Sequence, residues 1–373
     1  MQQPLWQPGE ERISGTNITA FIRAIEEDWN VNVENFDGLY EFSITEIDKF
    51  WMSLKDFGGV IAETWGDAVQ ETPGRMPGTR FFPDARLNFA ENLLRRRDDS
   101  EALVFRGEDK VNRRLSFAEL YDQVSLVRQA LINIGVTSGD RVGAYLPNMP
   151  EAIIAMLATS SLGAIWSSCS PDFGVKGVLD RFGQIEPKVI FAAEGYHYNG
   201  KSHDCLEKLA EIVRALPSVE KTVVVPYTRD APAIDGVKNA VWLGDLTNPY
   251  QAADIDFERF AFNHPLYIMY SSGTTGAPKG ATLHHRGLTN NGRFVVSSLG
   301  ARPGEAYLNP APLFHVAGCV VGVLGALACR ATLVQSVSFE PGLALSLCEK
   351  ERVTTMGGVP TMLIAMMEHP DFM

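Results

Sequence analysis

Hydrophobic positions recur along this chain with two different periods, and the rhythm changes near residue 100. Ile18, Phe21, Ile22, Ile25 and Trp29 share one face at helical spacing. Ser43 and Glu46 read as a capping box ahead of a second amphipathic helix bearing Ile47, Phe50, Trp51 and Leu54. Residues 58–83 interleave Gly and Pro and predict a loop. From residue 101 short apolar strands (102–105, 141–146, 164–166, 188–193, 222–225) alternate with helical patterns. Ser116 and Glu119 form a further capping box before the face Phe117, Leu120, Val124, Val127 and Leu131. Pro150 suits the first turn of a helix ending near Leu162. Alternation of this kind predicts right-handed βαβ units and a mostly parallel sheet, with ligands at the carboxyl ends of its strands.

The pattern continues beyond a strand at residues 266–269. It predicts a helix over 284–299, a loop over 310–318, an apolar helix over 316–328 and a strand at 332–334. A helix over 341–351, a strand at 353–356 and a helix over 361–368 follow.

Directly after the 266–269 strand stands Tyr270-Ser-Ser-Gly-Thr-Thr-Gly-Ala-Pro-Lys-Gly280. Ser271, Ser272, Thr274 and Thr275 offer short donors, and Gly273 and Gly276 let backbone N–H groups converge on an anion. Lys279 adds a compact positive charge able to reach a phosphate. The Walker pattern is excluded, because proline precedes Lys279 and glycine follows it. The strand before the loop and the helix after it set it where a parallel sheet binds phosphate.

Composition narrows the function classes. Hydrophobic residues make up 45% and charged residues 21%, enough for a sizeable core. The formal net charge of −12 argues against nucleic acid and anionic membranes as partners. Lys279, His284, His285 and Arg286 concentrate positive charge where a nucleotide would need it. Five scattered cysteines, without metal-ligand spacing, read as reduced thiols in a cytoplasmic protein. No apolar leader opens the chain, and the apolar run 316–329 is too short to span a bilayer. Oligomeric state is not legible.

Residues 270–280 resemble the phosphate-binding signature of the adenylate-forming superfamily, which includes acyl-CoA synthetases, luciferases and peptide-synthetase adenylation domains. The resemblance implies an α/β fold: the parallel-sheet-rich subdomains of that superfamily's large N-terminal domain, incomplete here. It implies ATP, Mg²⁺ and coenzyme A as cofactors and a small carboxylic acid as substrate. The acid would be activated as acyl-AMP and transferred to CoA. Ser271, Ser272, Gly273, Thr274, Thr275, Gly276 and Lys279 would hold the ATP phosphates, with Thr274 or Thr275 also on Mg²⁺.

Residues 81–94, 166–174, 180–185 and 195–201 resemble the acetoacetyl-CoA synthetases, a branch of the family, and the similarity runs over residues 1–270. Residues 1–100 are then a leader and residues 101–373 an AMP-binding domain, truncated and lacking the small C-terminal domain. In related acetyl-CoA synthetases, the stretch matching 170–174 lines the pantetheine tunnel, and the stretch matching 195–201 lies near the 3′-phosphate of CoA. Gly174 and Lys201 carry over as CoA-binding positions.

After Gly280 the resemblance changes. In place of a Trp-rich Gly-Trp-Met-Met-Trp segment, the chain reads Pro312-Leu-Phe-His-Val-Ala-Gly318, similar to fatty-acyl-CoA ligases, as is Gly357-Gly-Val-Pro-Thr361. By resemblance Phe314 and His315 form an aromatic–imidazole gate beside the substrate carboxylate. Lys279 and His315 are the catalytic positions, and Phe314, His315 and Gly318 line the acyl pocket. Ala317 and Gly318 imply a longer pocket than a Trp wall would leave. Three functions stay open: acetoacetate–CoA ligase, medium- or long-chain fatty acid–CoA ligase, and a truncated, non-catalytic nucleotide-binding fragment. The family's Gly-x-Thr-Glu segment, ribose-binding Asp and C-terminal Lys have no counterpart in the 373 residues, so these are expected not to complete adenylation alone.

Overall fold

A computed structural model describes residues 9–75, 78–271, 279–284, 288, 291–292, 295–296 and 299–372. Two sheets organise it. The larger has seven strands in the spatial order Ala240–Trp242, Lys221–Val225, Val189–Ala193, Arg141–Tyr145, Ile165–Cys169, Pro265–Ser271, Lys279–His284. Its first six strands run parallel and the last pairs antiparallel with its neighbour. The smaller has five strands in the order Val353–Met356, Ala306–Asn309, Thr332–Ser336, Glu101–Gly107, Val111–Ser116, of which only the last is antiparallel.

Alternation along the strands builds the layers. In Val189–Ala193 every residue is buried, yet Val189, Phe191 and Ala193 face one core while Ile190 and Ala192 face another. The smaller sheet divides likewise: Leu103, Tyr307 and Leu333 enter the core shared with the larger sheet, and Val104, Leu308 and Val334 enter a separate one. The shared core therefore lies between the sheets. It holds the helix Pro150–Ser161, all of whose residues are buried; the helix is mostly apolar, and its one charged residue, Glu151, is paired with Arg113 at 2.6 Å. The outer core of the larger sheet packs under Val175–Ile185 and Leu206–Ala215; that of the smaller sheet packs under Pro341–Lys350 and Met366.

Local signals explain several elements. The Ser116–Glu119 capping box forms in both directions and opens Phe117–Ile134, which ends at Gly135 with φ 89°. In the leader, Phe21, Ile22 and Ile25 are buried against Leu39 and Phe42, with Trp29 at the margin, while Ile18 is exposed. The Ser43–Glu46 capping box does not form. Ser43 is already inside the helix Phe36–Thr45, where its hydroxyl donates to the Tyr40 carbonyl at 2.7 Å. Glu46 ends that helix and starts Ile47–Phe57 without a side-chain cap bond.

The parallel-sheet-rich subdomains expected from the resemblance are these two sheets, and two other expectations change shape. The predicted helix from residue 284 does not follow the signature directly, because Lys279–His284 is a strand; Leu288, Asn291, Gly292, Val295 and Val296 are helical. The apolar helix begins as a π-helix, Ala317–Leu324, before continuing as Gly325–Cys329. There the Asn309 amide donates to the Gly318 carbonyl at 3.1 Å, an outside donor for a carbonyl of the widened turn. Among the described residues no helix is long and apolar enough to cross a membrane.

Candidate functional site

The signature is carried by a β-hairpin. Pro265–Ser271 pairs with Lys279–His284, Ser271 standing opposite Lys279 and Tyr270 opposite Gly280. A Cβ on Gly280 would lie 3.0 Å from Ile268 and 3.1 Å from the Tyr270 ring, so glycine lets the edge strand close over those side chains. The helix expected directly after the signature is thus corrected to a return strand, Lys279–His284. Ser272, Gly273, Thr274, Thr275 and Gly276 lie outside the described residues, and Ser271 is placed by its backbone alone. Lys279 is exposed at the start of the return strand, and among the described residues no ion pair engages it.

Beside this hairpin, at the carboxyl ends of Ile165–Cys169 and Pro265–Ser271, opens a cleft of about 410 Å³. Ser168, Phe173, Arg181, Tyr270, Phe314 and His315 line it. The location agrees with the sequence expectation for a parallel sheet. The Ser167 hydroxyl donates to the Ile268 carbonyl at 2.8 Å and ties the two strands together. The Arg181 guanidinium lies 4.6 Å from the Phe173 ring centre and 5.8 Å from that of Tyr270. The Tyr270 hydroxyl donates to the Arg181 carbonyl at 2.6 Å. Burial pushes the Tyr270 phenol up to about 12, with Cys169 adding to the rise and Arg181 opposing it, so it stays a proton donor at neutral pH.

His315 is both a loop cap and a wall of the cleft. Its Nδ1 accepts from the Ala317 N–H at 3.1 Å, which leaves the proton of the neutral ring on Nε2. Phe314 meets Phe173 at 5.5 Å between ring centres. Phe314 also lines a second cavity of about 220 Å³, together with Asn148, Ser170, Asp172, Tyr196 and Met362. Asp172 accepts from the Tyr196 hydroxyl at 2.7 Å and from the Ser170 hydroxyl at 2.9 Å, and Tyr145 holds the Pro171 and Phe173 carbonyls from below.

The other sequence-predicted positions separate. Gly318 is buried, and a Cβ there would come 2.1 Å from the Pro312 carbonyl oxygen; close packing of the 310–318 loop accounts for the glycine. Gly174 precedes the helix Val175–Ile185, exposed, with open space where a Cβ would go. Lys201 is exposed on the hairpin Gly195–Tyr198/Lys201–Asp204 as the cross-strand partner of Tyr198, which lines the second cavity. Sequence reasoning missed Phe173, Arg181 and Asn148 as site residues. Phe173 and Arg181 fall within quoted family-like stretches, but their meeting depends on the crossover through Val175–Ile185. Asn148 gives no local signal, because its partners lie far along the chain.

Comparison with known proteins fits this geometry. The family model "AMP-binding enzyme" matches residues 89–373. Acetoacetyl-coenzyme A synthetase of Rhizobium meliloti (strain 1021) is 47% identical over 279 residues, covering 74% of this chain and 42% of that protein. Acetoacetyl-CoA synthetase of Macaca fascicularis is 41% identical over 286 residues, with the same two shares. The solved acetoacetyl-CoA synthetase from Streptomyces lividans superposes with a TM-score of 0.89 at 33% identity, covering 98% of this chain and 56% of that one. The chain thus spans 42% of the length of the curated relatives named here.

Proposed function

The chain belongs to the AMP-binding enzyme family, and from that premise we propose that it is part of an ATP-dependent acid–CoA ligase whose acid is acetoacetate. One observation supports this most directly. The end of the signature hairpin at Tyr270 and the Phe314–His315 wall line one cleft at the carboxyl ends of parallel strands. Relatives that carry the acetoacetyl-CoA synthetase name match 74% of the chain.

In the proposed reaction a carboxylate oxygen of the acid attacks the α-phosphorus of ATP, and the bond to pyrophosphate breaks. The thiol sulfur of CoA then attacks the acyl carbon, AMP leaves with the electron pair of the C–O bond, and the thiol proton passes to solvent. Lys279 stands at the mouth of the hairpin, where positive charge would offset that of the departing pyrophosphate. His315 presents an Nε2 proton on the cleft wall, suited to a carboxylate or its adenylate. The second cavity, behind Phe314, would take the thiol arm, with Ser170, Asp172 and Tyr196 as its polar lining. Gly174 and Lys201 are proposed at its approaches, where neither packing nor an ion pair among the described residues accounts for them.

Mg²⁺ would accompany the nucleotide. Thr274 and Thr275 lie outside the described residues, and among the described ones no cluster of three His, Cys, Asp or Glu could hold a metal. Cys169, Cys205 and Cys319 are buried free thiols, which supports a reducing, cytoplasmic setting.

The burial of Gly318 favours the short acid over a fatty acid, since its lack of a side chain serves the packing of Pro312 and opens no acyl space. Dissociation constants of acetoacetyl- and octanoyl-sulfamoyladenosine, unreactive mimics of the two acyl-adenylates, test the reading without requiring turnover. Tighter binding of the acetoacetyl mimic is expected. A preference for the octanoyl mimic transfers the assignment to fatty acids. Binding of ATP with neither mimic bound makes the chain a nucleotide-binding module.

A further inference from the structure

The wall formed by Phe314 and His315 belongs to an irregular loop, and something must hold it against the cleft. The holding group lies far away in sequence. Asn148 follows the strand Arg141–Tyr145 of the larger sheet and is only 6% exposed. Its Oδ1 accepts from the Leu313 N–H at 2.7 Å, one residue before Phe314. Its Nδ2 lies 3.4 Å from the carbonyl oxygens of Ala311 and of Ser336, the last residue of a strand in the smaller sheet. One buried amide thus joins both sheets to the loop that separates the cleft from the second cavity.

A second amide pair continues the network. Asn309 Nδ2 donates to Gln335 Oε1 at 2.7 Å and to the Gly318 carbonyl at 3.1 Å, and Asn309 Oδ1 accepts from the Ala311 N–H at 3.3 Å. Gln335 Nε2 donates to the carbonyls of Asn309 and Ser336 at 3.0 and 2.8 Å. Asn309 and Gln335 thus set the two ends of the loop, residues 311 and 318. Asn148 is the side chain in this network that reaches its middle, at Leu313. Buried backbone groups in an irregular loop have no ladder to satisfy them, so losing this acceptor leaves a buried N–H unpaired.

We propose that Asn148 is a positioning residue: it fixes the Phe314–His315 wall, and with it the orientation in which the His315 imidazole meets the ligand. The inference rests on the function proposed above only for what the ligand is. The geometric part, that Asn148 fixes His315, stands apart from it.

The test compares the unmodified protein with Asn148→Ala and Asn148→Asp, the latter keeping a side-chain acceptor for the Leu313 N–H. The first readout is the ¹⁵N signature of the His315 imidazole, assigned by its loss in His315→Gln. In the unmodified protein Nδ1 is the bare acceptor and Nε2 carries the proton. Asn148→Ala is expected to average the two tautomers, and Asn148→Asp to restore the native signature. The second readout is affinity. The acetoacetyl-adenylate mimic should weaken on the order of tenfold or more in Asn148→Ala, while ATP affinity stays within about twofold.

A folded Asn148→Ala protein with native His315 signals and native mimic affinity overturns the proposal. So does equal loss of ATP and mimic affinity, which would mark a general structural role. If Asn148→Ala does not fold, hydrogen exchange in the unmodified protein decides: Leu313 must exchange as slowly as the amides of Ala306–Asn309, and fast exchange overturns the proposal. If the unmodified protein binds neither mimic, the function proposed above fails while the His315 signature still judges Asn148.

Discussion

Phe314 packs on Phe173 with ring centres 5.5 Å apart and planes inclined at 60°, and the Arg181 guanidinium lies 4.6 Å from the same Phe173 ring centre. The contact joins the loop after the smaller sheet's strand Ala306–Asn309 to the turn after the larger sheet's strand Ile165–Cys169. It closes the wall between the cleft and the second cavity.

Removing that wall should change selectivity more than stability. In Phe314→Ala the two spaces merge, and the ratio of octanoyl to acetoacetyl mimic affinity should rise about tenfold, as expected when a pocket gains room for extra methylenes. Calorimetric titration of both mimics measures it. An unchanged ratio would show that Phe314 does not bound the acyl site.

Lys279→Met keeps the apolar stem and removes the charge. ATP should bind about tenfold more weakly, the scale of a lost charge-assisted hydrogen bond. The salt dependence of ATP binding should also flatten, because one cation no longer contributes. Equal ATP affinity at low and moderate salt in the two proteins would remove Lys279 from the phosphate site.

Gly318→Ala tests a packing claim. Its new methyl would start 2.1 Å from the Pro312 carbonyl oxygen, so the loop must shift. A loss of about 1–3 kcal/mol in urea unfolding is expected, the usual range for overpacking. A loss near zero would mean that the loop yields freely and that the close approach is not what requires glycine.

Acid should weaken the smaller sheet first through Glu351. Its side chain is 6% exposed and pairs with Arg106 at 2.9 Å and Arg114 at 2.5 Å. Burial pushes its carboxyl up, but the hydrogen bonds from Arg114 and Arg106 outweigh that and hold it below its ordinary 4.5. A lowered carboxyl stabilises the fold above that ordinary value, and the contribution is lost as pH falls through the lower, folded-state value. Glu351→Gln should therefore cost stability at neutral pH and flatten the decline below about pH 4.5. Parallel acid unfolding curves for the two proteins would refute the role of this network. Glu351→Ala, which leaves Arg106 buried and unpaired, should cost about 3 kcal/mol or more at neutral pH.

How much of this was legible depended on how local each cause is. The Ser116–Glu119 cap and the helix from Pro150 read directly, because the signal and the structure lie within a few residues. The apolar strand at residues 188–193 was equally clear, but its sharing of side chains between two cores was not, since a run buried on both faces carries no visible alternation. Ser43 misled for the opposite reason: its spacing to Glu46 is right for a cap, but the residue was already committed to the preceding helix. The return strand of the signature hairpin was hidden behind Gly280, whose low strand propensity is offset by the Ile268 and Tyr270 side chains it admits. At the site, Phe314 and His315 stood out by motif. Asn148 could not, because its acceptor role is completed 165 residues later.

A single aromatic wall with a ligand space on each side imposes reciprocity. Whatever free energy a ligand in the cleft adds to binding in the second cavity by fixing Phe314, a ligand in the cavity must return to the cleft in equal measure. Arrival order can then alter how fast the ternary complex assembles, but not its final stability. A substitution that loosens the wall, at Phe314 or at Phe173, should lower both halves of that linkage together.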